Sequence, residues 1–210
     1  MRTRIKICGI TSPEDAVMAA SAGADYVGVV LTESPRRVSA ERAGEISRAL
    51  PTGTRLVGVF GEEPEDEVRK AVESFKLHAV QVGGWLALDH EFPWEVWHVL
   101  RGESVPDPAT IPMVPLRTYL LDAYDPARLG GTGKRADWDW ARLGVNAGLR
   151  LIVAGGLNPE NVAELVTEVH PFGVDASSGL ESVPGRKDFR KVRAFIERIR
   201  EADRVRPKLS

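Results

Sequence analysis

The chain has 210 residues, 28 Lys and Arg against 30 Asp and Glu, and a formal net charge of −2. That balance creates no global field for nucleic acid or an anionic membrane, and the lone cysteine, Cys8, excludes an intramolecular disulfide and a cysteine-based zinc cluster. Hydrophobic residues make up 43% of the chain, enough for a sizeable core, yet no run of about 18 apolar residues is present to span a membrane.

In chain order, residues 5–8 read as a strand. A helix follows over 13–22, with Ser12 as N-cap, Pro13 in its first turn and Gly23 after its last. Residues 26–31 form the next strand, and 40–50 a helix capped by Ser39. A strand at 55–60 precedes a charged helix at 64–75, and 79–82 is a short strand. Residues 94–100 suit a strand. Four prolines between 102 and 115 argue against a full helix there. A strand at 118–122, a short helix at 138–143 and a strand at 151–153 come next. Asn158 and Pro159 read as the cap and first turn of a helix over 159–170. A strand at 173–176 and a charged helix at 188–201 close the pattern, and the polar tail 202–210 is expected to fray.

Eight strands alternating with helices or clipped helices predict a parallel sheet. Eight βα units favour an α/β fold of one domain over residues 1–210, a (β/α)8 TIM barrel, over an open doubly wound sheet. The chain is short for that barrel, at roughly 26 residues per unit against roughly 30. The proline-rich stretch after strand five accounts for the economy.

Catalysis in such barrels sits at the C-terminal ends of the strands. The polar residues there are Cys8, Ser34-Pro35-Arg36, Gln81, Asp122, Gly155-Gly156 and Asp175-Ala176-Ser177-Ser178-Gly179. Gly155-Gly156 and Ser177-Ser178-Gly179 are glycine-bearing loops on consecutive units, the place where this fold cradles phosphate on backbone N–H groups. Gly130-Gly131-Thr132-Gly133 is either a flap over the site or a flexible connection. Alternation along strand one sends Ile5 and Ile7 to the helices and Lys6 and Cys8 into the barrel. Lys6 there either pairs with a carboxylate or sits beside Cys8 as an ammonium that favours its thiolate. Asp122 ends the apolar run Leu120-Leu121, an uncomfortable place for a carboxylate with no function.

These residues also form a pattern. Lys6-Ile7-Cys8-Gly9-Ile10-Thr11, Gly23-Ala24-Asp25, Ser34-Pro35-Arg36 and Gly58-Val59-Phe60 come first. Leu121-Asp122, Gly130-Gly131-Thr132-Gly133 and Asp137-Trp138 follow. Gly155-Gly156-Leu157-Asn158-Pro159-Glu160-Asn161-Val162, Val174-Asp175-Ala176-Ser177-Ser178-Gly179-Leu180-Glu181 and Pro184-Gly185-Arg186-Lys187-Asp188 complete it. In order and spacing, from residue 6 to about 190, the set resembles the phosphoribosylanthranilate isomerases. One departure stands after strand four, where Val80-Gln81-Val82-Gly83-Gly84 replaces the usual Val-Gln-Leu-His-Gly.

The resemblance implies a cofactor-free and metal-free Amadori rearrangement of N-(5′-phosphoribosyl)anthranilate in cytoplasmic tryptophan biosynthesis. It implies Asp122 as general acid at the ring oxygen and Cys8 as general base at ribose C2, with a thiol pKa below its usual value. Arg36, in the third position of its motif, rather than Arg37, would hold the anthranilate carboxylate. Gly155, Gly156, Ser177, Ser178 and Gly179 would hold the phosphate. The implied partner is a small phosphosugar, with neither nucleic acid nor membrane, and the implied assembly a monomer or homodimer. The alternatives are another phosphosugar barrel, such as an indole-glycerol-phosphate synthase or an epimerase, and a phosphate-binding barrel without catalysis. The four histidines show no metal-ligand spacing, and the five tryptophans suit packing, with Trp85 placed to reach a strand-end pocket.

Overall fold

The computed structural model describes residues 2–83, 92–101, 105–113, 117–123 and 137–205. Eight parallel strands close on themselves: β1 (Arg4–Ile7), β2 (Tyr26–Val30), β3 (Arg55–Phe60), β4 (Ala79–Gly83), β5 (Glu95–Leu100), β6 (Arg117–Leu121), β7 (Leu151–Val153) and β8 (Gly173–Ala176). The pairing of β1 with β8, with Lys6 opposite Asp175, shuts the barrel and rules out the open sheet.

Six helices pack outside among the described residues: α1 (Pro13–Ala22), α2 (Ala40–Ala49), α3 (Glu65–Phe75), α4 (Trp138–Asn146), α5 (Val162–Val169) and α6 (Phe189–Val205). The expected caps work as chemistry. Ser12 accepts from the Asp15 N–H and Ser39 from the Arg42 N–H, and Gly23 ends α1 at φ 107°. Among its described residues the proline-rich connection holds one 3-10 turn, Pro108–Thr110. Helix α6 runs to Val205 with Ala202 buried, so the first residues of the expected frayed tail are helical.

Two features depart from the sequence reading. Helix α5 starts at Val162, not at Pro159, because Asn158 caps a turn instead of a helix. Its Oδ1 accepts from the N–H groups of Glu160 and Asn161 at 3.0 and 3.1 Å, and Asn161 Nδ2 donates back to the Gly156 carbonyl at 2.9 Å. Those bonds hold the chain in a loop. The other departure is a small hairpin, β9 (Glu181–Val183) with β10 (Arg186–Lys187), between β8 and α6. Strands of three and two residues carry no readable alternation.

Strand alternation divides the core in two. Ile5, Ile7, Val27, Val29, Val80 and Val82 face the helices. Tyr26, Val57, Ala79, Trp97, Leu120 and Ile152 fill the lower barrel interior, with Trp97 fully buried edge-on against Tyr26 at 4.9 Å. This apolar plug makes the N-terminal half of the barrel solid. Inward-pointing polar residues are split by it: Thr118 donates to Glu95 at the N-terminal end, and Lys6, Gln81 and Asp175 gather above it at the other.

Candidate active site

The C-terminal mouth of the barrel opens into a cavity. All eight residues singled out from the sequence line it: Cys8, Arg36, Asp122, Gly155, Gly156, Ser177, Ser178 and Gly179. Trp85 and Gly130-Gly131-Thr132-Gly133 lie outside the described residues.

Cys8 follows β1, its N–H donating to the Ala176 carbonyl at 2.9 Å. Beneath it Lys6, fully buried, donates to Asp175 Oδ2 at 2.8 Å and Gln81 Oε1 at 2.9 Å. Both readings of Lys6 hold: it pairs with a carboxylate and it faces the thiol. Gly28 makes the arrangement possible. A Cβ there would lie 2.8 Å from Lys6 Cε and 3.0 Å from Cys8 Sγ. The signal was a glycine inside a valine-rich strand, which marks a close approach.

The expectation of a depressed thiol pKa is corrected. Burial pushes the Cys8 thiol up, and the Lys6 ammonium opposes that without overcoming it. Burial also works against the charge on Lys6, but Asp175 and Cys8 outweigh it and hold the ammonium above the usual lysine range. The sequence showed the ammonium beside the thiol, not how little water reaches either.

Asp122 follows β6 across the mouth, its N–H on the Leu100 carbonyl. Its carboxylate is paired with Arg101, which follows β5 and lines the same cavity. The sequence reading missed Arg101, although the strand-end test that found Asp122 applies to it equally.

Arg36 reaches the mouth, whereas Arg37 lines a separate groove with Val38, Glu63 and Phe75. The Arg36 Nε and Nη2 groups each donate to one oxygen of Glu181 at 2.7 Å. Lys187 donates to the same carboxylate at 2.9 Å. Burial would raise the Glu181 carboxyl, but Arg36 and Lys187 hold it below the usual range. A fork clamped along one edge keeps its remaining N–H groups fixed in direction. Gly9, at φ 70°, leaves the path for this side chain, since a Cβ there would lie 2.5 Å from Arg36 Cδ.

The two glycine-bearing loops touch. Gly155 and Gly156 adopt φ 81° and 64°. A Cβ on Gly179 would lie 2.1 Å from the Leu157 carbonyl oxygen. Gly179→Ala therefore forces one backbone loop away from the other. Overpacking of this kind costs about 1–3 kcal/mol. We expect KM to rise about 10- to 100-fold with a smaller change in kcat, and competition by inorganic phosphate to weaken in parallel. At Gly83 the backbone has room: a Cβ there meets nothing closer than the Gly61 carbonyl oxygen at 3.5 Å.

Of the histidines, His78 accepts the Leu56 N–H at 3.2 Å, His170 ends α5 and His98 lies on the helix-facing side of β5 beside Tyr119. His90 is outside the described residues. Among the described residues no cluster of His, Cys, Asp or Glu is placed to hold a metal ion.

A closed eight-stranded barrel that gathers a thiol, a carboxylate, an arginine and two glycine-bearing loops at its C-terminal mouth defines a (β/α)8-barrel enzyme. Residues 5–198 match the family model for N-(5′-phosphoribosyl)anthranilate isomerase. The chain is 43% identical over 202 residues to the N-(5′-phosphoribosyl)anthranilate isomerase of Trichlorobacter lovleyi, covering 95% of this chain and 98% of that one. The crystal structure of the Thermotoga maritima phosphoribosylanthranilate isomerase aligns with a TM-score of 0.84 at 34% identity, covering 95% of this chain and 99% of that one. Another solved isomerase, in complex with reduced 1-(o-carboxyphenylamino)-1-deoxyribulose 5-phosphate, aligns at 0.78 and 30% identity, covering 95% and 99%. The chain belongs to the phosphoribosylanthranilate isomerase family. It is an isomerase of tryptophan biosynthesis, and the synthase, epimerase and binding-protein alternatives fall away.

Proposed function

We propose that Asp122 is the general acid and Cys8 the general base of this isomerisation, that Arg36 binds the anthranilate carboxylate, and that the Gly155-Gly156 and Ser177-Ser178-Gly179 loops bind the phosphate. The observation that carries this reading is that Cys8 and Asp122 line one cavity from β1 and β6. Each sits against its own cation, Lys6 and Arg101.

Asp122 gives its proton to the furanose ring oxygen. The bond from C1 to that oxygen breaks as the nitrogen lone pair forms a C=N bond, and Arg101 pairs with the carboxylate left behind. The Cys8 thiolate takes the proton from C2. The C–H electron pair forms C1=C2, and the C=N π pair returns to nitrogen. The enolamine then loses its O–H proton and gains one at C1, giving the aminoketose. In that last step solvent takes the O–H proton and supplies the one at C1, and exchange with solvent restores the Cys8 thiolate and the Asp122 proton.

We infer that the chain acts as a monomer or homodimer. No helix among the described residues is long and apolar enough to cross a membrane. We place the chain in the cytoplasm, as its single cysteine suits a reducing compartment.

The test is turnover of freshly made N-(5′-phosphoribosyl)anthranilate, followed by loss of its fluorescence. The native chain turns over. Asp122→Asn, which has no proton to give, loses at least about 10²-fold in kcat, while the reduced, unreactive product binds within a few-fold of native. Full activity in Asp122→Asn removes it as the acid.

A further inference from the structure

Asp175 is buried in β8, directly opposite Lys6 in the register. Its Oδ2 accepts from Lys6 at 2.8 Å. Its Oδ1 is buried and has no hydrogen-bond partner among the described residues. A carboxylate oxygen left unsatisfied in the interior is costly, and this residue lines the substrate cavity. The mechanism above gives it no task.

Three carboxylates line the cavity among the described residues: Glu33, Asp122 and Asp175. Glu33 is exposed and Asp122 is paired with Arg101. Asp175 alone offers a dry, unused acceptor. The phosphate and carboxylate of the substrate are anions and are repelled by it. The anilino N–H is a donor, and it belongs to the one atom that becomes cationic when the ring opens.

We propose that Asp175 Oδ1 accepts the hydrogen bond of the substrate's anilino N–H and stabilises the iminium formed on ring opening. The contact strengthens as positive charge develops, so it favours the transition state over the ground state. Lys6 fixes the other oxygen, which leaves Oδ1 no freedom to turn away. A cation at nitrogen also offsets the burial that pushes the Asp175 carboxyl up. The proposal rests on the acid and base roles assigned above, because those steps create the iminium.

The test compares two inert ligands by calorimetry: the reduced product with its secondary amine, and the same molecule with an ether oxygen in place of the N–H. The native protein should bind the amine at least about tenfold more tightly. In Asp175→Asn that preference should vanish or reverse, since Lys6 holds the amide oxygen and turns the NH2 group toward the ligand. The kcat of Asp175→Asn should fall about 10²-fold, with a thermal unfolding scan confirming a folded variant. Equal affinity of the two ligands for the native protein overturns the proposal without use of any variant. A preference that survives in Asp175→Asn, or a 2-deoxy ligand that loses affinity in place of the ether, also overturns it. Neither ligand reacts, so a failure of the Cys8 or Asp122 assignments shows in turnover alone.

Discussion

Cys8→Ala should lose about 10³-fold in kcat while binding the reduced product within about threefold of native, a drop in the range that a positioned general base supplies. The methyl group cannot take the C2 proton, and replacing a small buried side chain by a smaller one disturbs little else. Cys8→Ser should be no better, because a hydroxyl is a far weaker base than a thiolate. The pH profile separates this role from a merely structural one. The base must be deprotonated, and burial holds the Cys8 thiol above its usual pKa despite Lys6. Native kcat/KM should therefore climb with pH through the neutral range into the alkaline range, and the residual rate of Cys8→Ala should lack that limb. A native profile that falls over the same range would remove the thiolate from the mechanism.

The fold was legible in the sequence where local chemistry decides it. β3, β7, β8 and α1 have the predicted bounds, because short apolar runs and strong caps define them. Strand alternation alone placed Lys6 and Cys8 inside the barrel. What escaped depends on residues far apart in the chain. The Arg36–Glu181 clamp spans 145 positions, and nothing near either residue announces it. Glu181 stood in a motif as one letter among eight. In space it sets the direction of the arginine that the carboxylate reading needs. Asn158 shows the converse error: a locally sound helix cap was overruled by Asn161, which ties the chain back to Gly156. The result is a braced glycine loop where a helix was expected.

Buried charge is where sequence reasoning runs out, and it gives the largest expected effect on stability. Lys6→Met removes the only described cation hydrogen-bonded to Asp175. Breaking a buried ion pair from one side costs about 3–5 kcal/mol, because the carboxylate left in the interior must stay unpaired or take up a proton. Lys6→Met should lose that much in urea denaturation at neutral pH, and its turnover should fall at least about 10²-fold as the thiol loses its neighbouring ammonium. The pH dependence follows by linkage. Burial already raises the Asp175 carboxyl in the native protein, and without Lys6 nothing comparable opposes it. The folded variant then holds a proton that the unfolded chain has released, so its stability rises as pH falls below neutral. The native Lys6 contribution has a different window. Its raised ammonium is stabilising below the pKa of an unfolded lysine and fades as pH climbs through the folded value. Lys6→Met combined with Asp175→Leu should recover most of the lost stability, since a buried pair is replaced by apolar groups at little cost. It should not recover turnover. Recovery of both would reduce the pair to packing; recovery of stability alone means that this barrel keeps two charges in its interior for the chemistry at its mouth.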